Sequence, residues 1–254
     1  MQFAILGSGS KGNATLVRSE QTAVLIDCGF TVQDTLDRMA AVDFDPKQLD
    51  AILVTHEHGD HSKGVVPLSR RLGVPVYASA GTAIALGWHD KLTTETLIGG
   101  VTTQIGALTV LPVVVPHDAR EAYQFVIGSR QGRLGILTDL GHVTPHVVEA
   151  YQDIDVLLLE ANHDLAMLES GPYPPALKRR VGGPWGHLNN DQSADFLRQL
   201  NLEQLQHIVI AHISGQNNDP ERAKWVLTEA IPEHAHKLMI SHQDQPSAWC
   251  HIEP

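Results

Sequence analysis

Short apolar runs rich in β-branched residues alternate along this chain with stretches of helical periodicity. "AVLIDCG" (23–29), "AILVTH" (51–56), "LTVLPVVVPH" (108–117), "RLGILTD" (133–139), "DVLLLEA" (155–161) and "HIVIAH" (207–212) are short and continuously apolar, the pattern of strands buried on both faces. Between them Val32, Leu36 and Met39 recur at helical spacing, and Asp45-Pro46 reads as an N-cap followed by proline at the first helical position. Asn189 and Gln192 fit a capping box ahead of "SADFLRQL", and Asp219-Pro220 opens a helix with Ala223, Val226, Leu227 and Ala230 on one face. The segment from Gly171 to Gly186, with four prolines and four glycines, is predicted as an ordered rim or lid loop and not a helix. No internal repeat or low-complexity tract interrupts the alternation, which is that of an α/β protein, and length alone allows one large domain or two small ones.

Five of the apolar runs end directly in a polar residue suited to metal: Asp27, His56, His117, Asp139 and His212. A buried strand is a rigid base, and its end delivers a side chain to the sheet rim, where sites in layered α/β proteins form. "HEHGDH" concentrates the signal, with His56, His58, Asp60 and His61 inside six positions. In an extended segment His56 and His58 point the same way, and a turn at Gly59 swings Asp60 and His61 toward a second position. Imidazole with carboxylate suits zinc, manganese or iron without any cysteine.

Composition narrows the setting. The 254 residues are 43% hydrophobic and 19% charged, as in an ordinary globular protein. No apolar run approaches the ~20 residues of a membrane helix, and "MQFAILGSGSKGN" lacks the regions of a signal peptide. Two cysteines cannot make a disulfide framework, so a cytoplasmic location and no membrane partner are expected. A formal charge of −11 argues against a protein that coats nucleic acid, so binding of a strand would rely on local charge.

"THEHGDH" resembles the H-x-H-x-D-H motif of the metallo-β-lactamase superfamily. His117 in "VVPHDA", Asp139 in "LTDLG" and His212 in "IAHIS" match the later ligands of that family in order and context. The resemblance implies an α/β fold, the αββα four-layer sandwich of two facing β-sheets with helices outside. It implies two divalent metal ions per chain, zinc or manganese. His56, His58 and His117 would hold one ion and Asp60, His61 and His212 the other, with Asp139 and a hydroxide bridging them. Asp27 is read as orienting a ligand histidine, or as fixing the turn at Gly29.

Branches of the superfamily separate on what this chain lacks. Secreted β-lactamases carry a signal peptide and often a cysteine ligand, and flavodiiron proteins have glutamate where His58 stands. Glyoxalase II adds a helical substrate-binding region that is not found here, and RNase J-like enzymes insert a β-CASP domain for which the stretch from Asp139 to His212 is too short. "GHLNNDQSADFL" places His187 at the head of a helix before the last ligand strand, where RNase Z-like phosphodiesterases carry a histidine that meets the scissile phosphate. "LGSGSKGNATLV", "LEANHD", "GPYPPALKRRVGGPWGHLNN" and "AHISGQNNDPERA" resemble the YycJ/WalJ (VicX) group of bacterial metallohydrolases, associated with 5′-to-3′ exonuclease activity on DNA. That resemblance spans essentially the whole chain and implies one domain over 1–254.

The resemblance therefore implies a dinuclear phosphodiesterase acting on nucleic acid, with DNA favoured and with Asp60 and His187 as catalytic residues. Lys178, Arg179, Arg180 and Trp185 form a basic and aromatic edge suited to a strand, or an incidental charge triplet on a solvated loop. Ser8, Ser10 and Asn13 lie in a small-residue loop that either approaches the site with backbone N–H groups or is only a tight turn. Two other readings compete: a phosphodiesterase or thioester hydrolase for a small metabolite, which the acidic charge favours, and a non-catalytic metal-binding protein.

Overall fold

The computed structural model describes residues 1–88 and 92–253. The chain divides into two compact units, each built from non-contiguous segments. The first comprises Met1–Val114, Ala119–Gly132 and His242–Pro254, and the second Val115–Asp118 and Arg133–Ser241.

The first unit begins with three antiparallel strands, β1 (Gln2–Gly7), β2 (Ala14–Ser19) and β3 (Thr22–Ile26). Three parallel strands extend the sheet beyond β3: β4 (Ala51–Leu53), β5 (Val76–Ser79) and β6 (Thr94–Leu97). The two-residue strand Cys250–His251 closes the other edge against β1. Every residue of β3 and β4 is buried, which explains their unbroken apolar sequences. Leu25, Ile52, Met39 and Leu68 meet in the core, Met39 from the helix Val32–Ala41 and Leu68 from Val65–Leu72. Thr31 caps the first of these helices by accepting from Asp34 N. A separate antiparallel meander, β7 (Thr103–Ile105), β8 (Leu108–Val114) and β9 (Tyr123–Ser129), completes the unit.

The second unit is organised by four parallel strands, β10 (Gly132–Leu137), β11 (Val156–Glu160), β12 (His207–Ala211) and β13 (Leu238–Ile240). Register sets where their polar ends emerge. Leu137 pairs with Leu159 and Glu160 with Ala211, so Asp139, Glu160 and His212 all stand at one end of the sheet. The capping box of Asn189 and Gln192 is formed, and it starts the helix Asn190–Leu197. Asp219 caps the helix Pro220–Ala230, with Ala223 and Leu227 on the buried face.

Two local expectations change. Asp45 does cap at Pro46, but only a single 3₁₀ turn, Pro46–Gln48, comes after it. The segment 171–186 is not a loop throughout, because Pro175–Val181 is helical and carries Lys178, Arg179 and Arg180 in its last turn. Its prolines and glycines lie at the ends, Pro175 at a first position that tolerates proline and Gly182 just past the end. The interior "ALKRR" consists of good helix formers, and cations in a last turn suit the helix dipole. Among the described residues no helix is long and apolar enough to cross a membrane.

Candidate metal centre

Potential metal donors gather in two groups, one in each unit. In the first unit, β3 and β4 end side by side: Asp27 N donates to Leu53 O at 2.8 Å, and Thr55 N donates to Asp27 Oδ1 at 2.9 Å. The carboxylate of Asp27, 4% exposed, then reaches His61, with Oδ2 2.7 Å from Nδ1. That bond fixes the proton on Nδ1 and leaves Nε2 as the coordinating nitrogen. Thr55 Oγ1 lies 2.9 Å from Asp27 Oδ2 and 3.0 Å from His56 Nδ1. Its one proton goes to the carboxylate, so His56 Nδ1 is the donor to Thr55, and Nε2 carries the lone pair.

That lone pair lies 3.0 Å from His58 Nδ1. Two imidazole nitrogens sharing a zinc ion at ~2.0–2.1 Å stand about 3.3 Å apart at a tetrahedral angle, so the pair has the spacing of two ligands on one cation. Asp60 Oδ2 is 3.6 Å from His61 Nε2. The backbone behind this group is held at very short range. Cys28 N donates to His61 O and Asn13 N to Asp60 O, both at 2.8 Å, and a Cβ on Gly29 would fall 1.7 Å from Asp60 O. Only glycine fits there. The 8–13 loop approaches through a side chain: Asn13 Oδ1 accepts from Gly9 N at 2.8 Å, which turns Nδ2 toward His61 Nε2 at 3.1 Å.

In the second unit the central residue is Glu160, one that sequence reasoning missed. Fully buried at the end of β11, it places Oε1 2.8 Å from His187 Nδ1 and 2.9 Å from His212 Nδ1. Its Oε2 accepts from Leu188 N at 3.0 Å and Leu140 N at 3.3 Å. Both rings are thereby oriented through Nδ1, with Nε2 left to face a metal or a substrate. Burial alone would raise the Glu160 pKa, but the His187 charge and the bonds from both histidines outweigh it and hold the carboxyl down at about 2. For His187, burial works against the charged form, yet the Glu160 charge and hydrogen bond prevail and raise its pKa. Ligand atoms of Asp139, Glu160, His187 and His212 all lie within 4.8 Å of one another, a separation that suits metal binding.

His117 joins this group with Nδ1 3.0 Å from Gly186 O, again presenting Nε2, and its ring centroid is 5.3 Å from that of His187. Arg180 pairs with Asp118, the neighbour of His117, whereas the Lys178 ammonium donates to Glu169 O at 2.6 Å and is not drawn toward the donors. Arg179 and Trp185 are exposed.

Five described residues other than glycine have a left-handed φ, and three of them are Asp27 (59°), Asp139 (53°) and His212 (52°). Each comes just after a parallel strand, and a left-handed residue turns its side chain across the strand end instead of along the pleat. Glu160 also closes an apolar run with a metal-competent side chain, the same signal that marks the other five strand ends in the sequence.

The chain matches a family model described as a β-lactamase superfamily domain over residues 22–213. It belongs to that superfamily and is a metal-dependent hydrolase. Among curated relatives it is 30% identical to exodeoxyribonuclease YycJ of Bacillus anthracis over 245 residues, covering 92% of this chain and 90% of the relative. It is 31% identical over 240 residues to exodeoxyribonuclease WalJ of Streptococcus pneumoniae (strain D39), covering 91% and 88%. The crystal structure of the metallo-β-lactamase fold protein YhfI from Bacillus subtilis superposes with a TM-score of 0.74 at 14% identity, covering 97% of this chain and 98% of that one. The α/β sandwich expected from the sequence is thus the fold of this chain.

Proposed function

We propose that this protein is a dinuclear phosphodiesterase that removes nucleotides from a DNA strand, working from the 5′ end. The observation that carries the reading is the orientation of the histidines. His61 by Asp27, His56 by Thr55, His117 by Gly186 O, and His187 and His212 by Glu160 are each held through Nδ1. Five imidazoles oriented through the same nitrogen, each beside other metal-competent side chains, make a hydrolytic metal centre the economical reading. Relatives named exodeoxyribonucleases support nucleic acid as the substrate.

The ligand pattern read in the sequence assigns His56, His58, Asp60, His61, His117, Asp139 and His212 to two divalent ions, zinc or manganese. When bound, such ions supply a water of pKa roughly 7 and positive charge against the phosphate. The remaining chemistry belongs to side chains. His187 is held by Glu160 with Nε2 outward, and the raised pKa keeps it protonated nearer neutral pH. Its outward N–H either stabilises the transition-state phosphate or protonates the leaving oxygen. Asp60 stands on the coordinating side of His61, with Oδ2 3.6 Å from Nε2, where it would share a metal with that ring. Arg179 and Arg180 take flanking phosphates.

The test is a panel of labelled single- and double-stranded DNA and RNA, each with 5′-phosphate or 5′-hydroxyl, assayed with zinc and with manganese alongside elemental analysis. The expected result is about two ions per chain and release of nucleotides from the 5′ end of DNA. Cleavage of small phosphodiesters or thioesters alone would transfer the reading to a metabolite hydrolase, which the charge of −11 favours. Absence of metal, with no activity gained on adding any, would refute both.

A further inference from the structure

Trp185 is 58% exposed, although its backbone is pinned from both sides. Asp118 N donates to Trp185 O at 2.9 Å, Gly186 N to Gly183 O at 2.9 Å, and His187 N to Val181 O at 2.9 Å. Gly141 packs directly on the peptide between Pro184 and Trp185, where a Cβ would stand 2.3 Å from the Pro184 carbonyl and 2.5 Å from Trp185 N. The indole is therefore presented to solvent by a fixed segment. Beside it stands the exposed ring of His142, centroid 6.5 Å away and at 83°, anchored by its Nδ1 bond to Pro184 O at 2.9 Å. That bond places the proton on Nδ1 and leaves His142 Nε2 as an acceptor.

Two rings at right angles make a corner with one open aromatic face and one hydrogen-bonding edge. A flat heteroaromatic ring with amino groups on its rim fits such a corner, and a base stacked on tryptophan is a sequence-tolerant contact. Position points the same way. Trp185 is two residues before His187, at most ~7 Å of chain, and His142 is three residues after Asp139, so both rings rise from segments that carry candidate site residues. Arg179 and Arg180 close the preceding helix, and cations beside a stacking ring are how single strands are held.

We propose that Trp185 and His142 form a stacking platform for one nucleobase of a single strand whose scissile phosphate meets His187. This rests on the phosphodiesterase reading. The platform serves as the register-setting element: it binds the base adjoining the cleaved bond, and the arginines bind phosphates without regard to register.

The test uses metal-loaded protein and a phosphorothioate single strand that is bound but not cleaved, with binding read by fluorescence anisotropy. Trp185→Ala should weaken binding about tenfold, the scale of one lost base stack, and Trp185→Phe should restore most of it. A single abasic site walked along the strand should reduce wild-type binding at one position to the Trp185→Ala level, with no further loss in the variant there. Wild-type affinity in Trp185→Ala, or a loss unchanged by the abasic site at every position, would overturn the platform. If Trp185→Ala fails in this way and the wild type still cleaves DNA, the platform alone is wrong. A wild type that neither binds nor cleaves a strand would refute the phosphodiesterase reading and the platform with it.

Discussion

Replacing Glu160 by glutamine preserves shape and removes one property, the ability of both oxygens to accept. Oε1 receives two ring N–H groups, and Oε2 receives Leu188 N and Leu140 N. Whichever way a glutamine amide is turned, its NH₂ faces two donors. If it faces the rings, His187 and His212 must move their protons to Nε2 to accept from it, and His212 can then no longer bind a cation through that nitrogen. The size of the effect comes from the pKa. A carboxyl held at about 2 against an ordinary 4.5 is worth about 3 kcal/mol to the folded state, on the scale of two charge-assisted bonds at about 1.5–3 kcal/mol each. Because the folded pKa is depressed, this stability is present above 4.5 and lost as pH falls toward 2. The share owed to the His187 charge is lost again as pH rises through the raised pKa of that ring, so the deficit of the variant should be largest between the two. Urea unfolding in chelator should show a loss of about 3 kcal/mol, metal affinity should fall about 10–100-fold, and kcat on a chromogenic phosphodiester about 10²–10⁴-fold. A Glu160→Gln protein that unfolds at the wild-type urea concentration and turns over normally would refute the role given to this carboxylate.

Other substitutions separate the remaining roles. Gly29→Ala must displace Asp60 O, and should cost more than about 3 kcal/mol in urea while stripping metal from the 56–61 group, read by elemental analysis. His187→Ala should keep its metal and lose kcat about 10²–10⁴-fold, whereas His212→Ala should lose metal and turnover together; shared metal loss would make His187 a ligand. His163 is fully buried with neither ring nitrogen hydrogen-bonded, and burial, only partly offset by the Glu160 charge, lowers its pKa to about 4. The unfolded chain takes up a proton below 6.5 that the folded chain refuses, so stability should drop by up to roughly 3 kcal/mol as pH falls from 6.5 toward 4. His163→Leu should flatten that slope in pH-dependent urea unfolding, and an unchanged slope would assign it to other groups.

Much of the fold was legible because strands buried on both faces write themselves as unbroken apolar runs, as in "AVLI" and "VLLLE". Exposed strands leave weaker marks. Thr94–Leu97, with two exposed positions, has no apolar run to show. The many prolines and glycines around Pro175–Val181 mask that helix in the sequence, although their positions at its ends are compatible with one. The ligand candidates were legible from residue type and order, and so was Asp27 as the support of a ligand histidine. Thr55 is an ordinary residue in sequence and Asn13 is marked only by its loop; their importance lies in bonds to His56, Asp27 and His61 that only the paired strand ends and the glycine-tight loops create.

The left-handed residues show why these donors sit at strand ends. A non-glycine residue in that conformation costs on the order of 1–3 kcal/mol and persists only where its surroundings over-determine it. Asp27 is held by its own N–H on Leu53 O and by Thr55 on its carboxylate. His212 is held through its carbonyl by Asn162 Nδ2 at 3.0 Å, directly after the register pair of Glu160 and Ala211. In both units the strain therefore falls on the residue next to a buried, hydrogen-bonded strand. A longer, relaxed loop would avoid the cost but would leave the side chain free to wander. The bonds at these strand ends hold a strained backbone so that the side chain keeps one direction, and a hydrolytic centre needs that direction more than it needs the few kcal/mol.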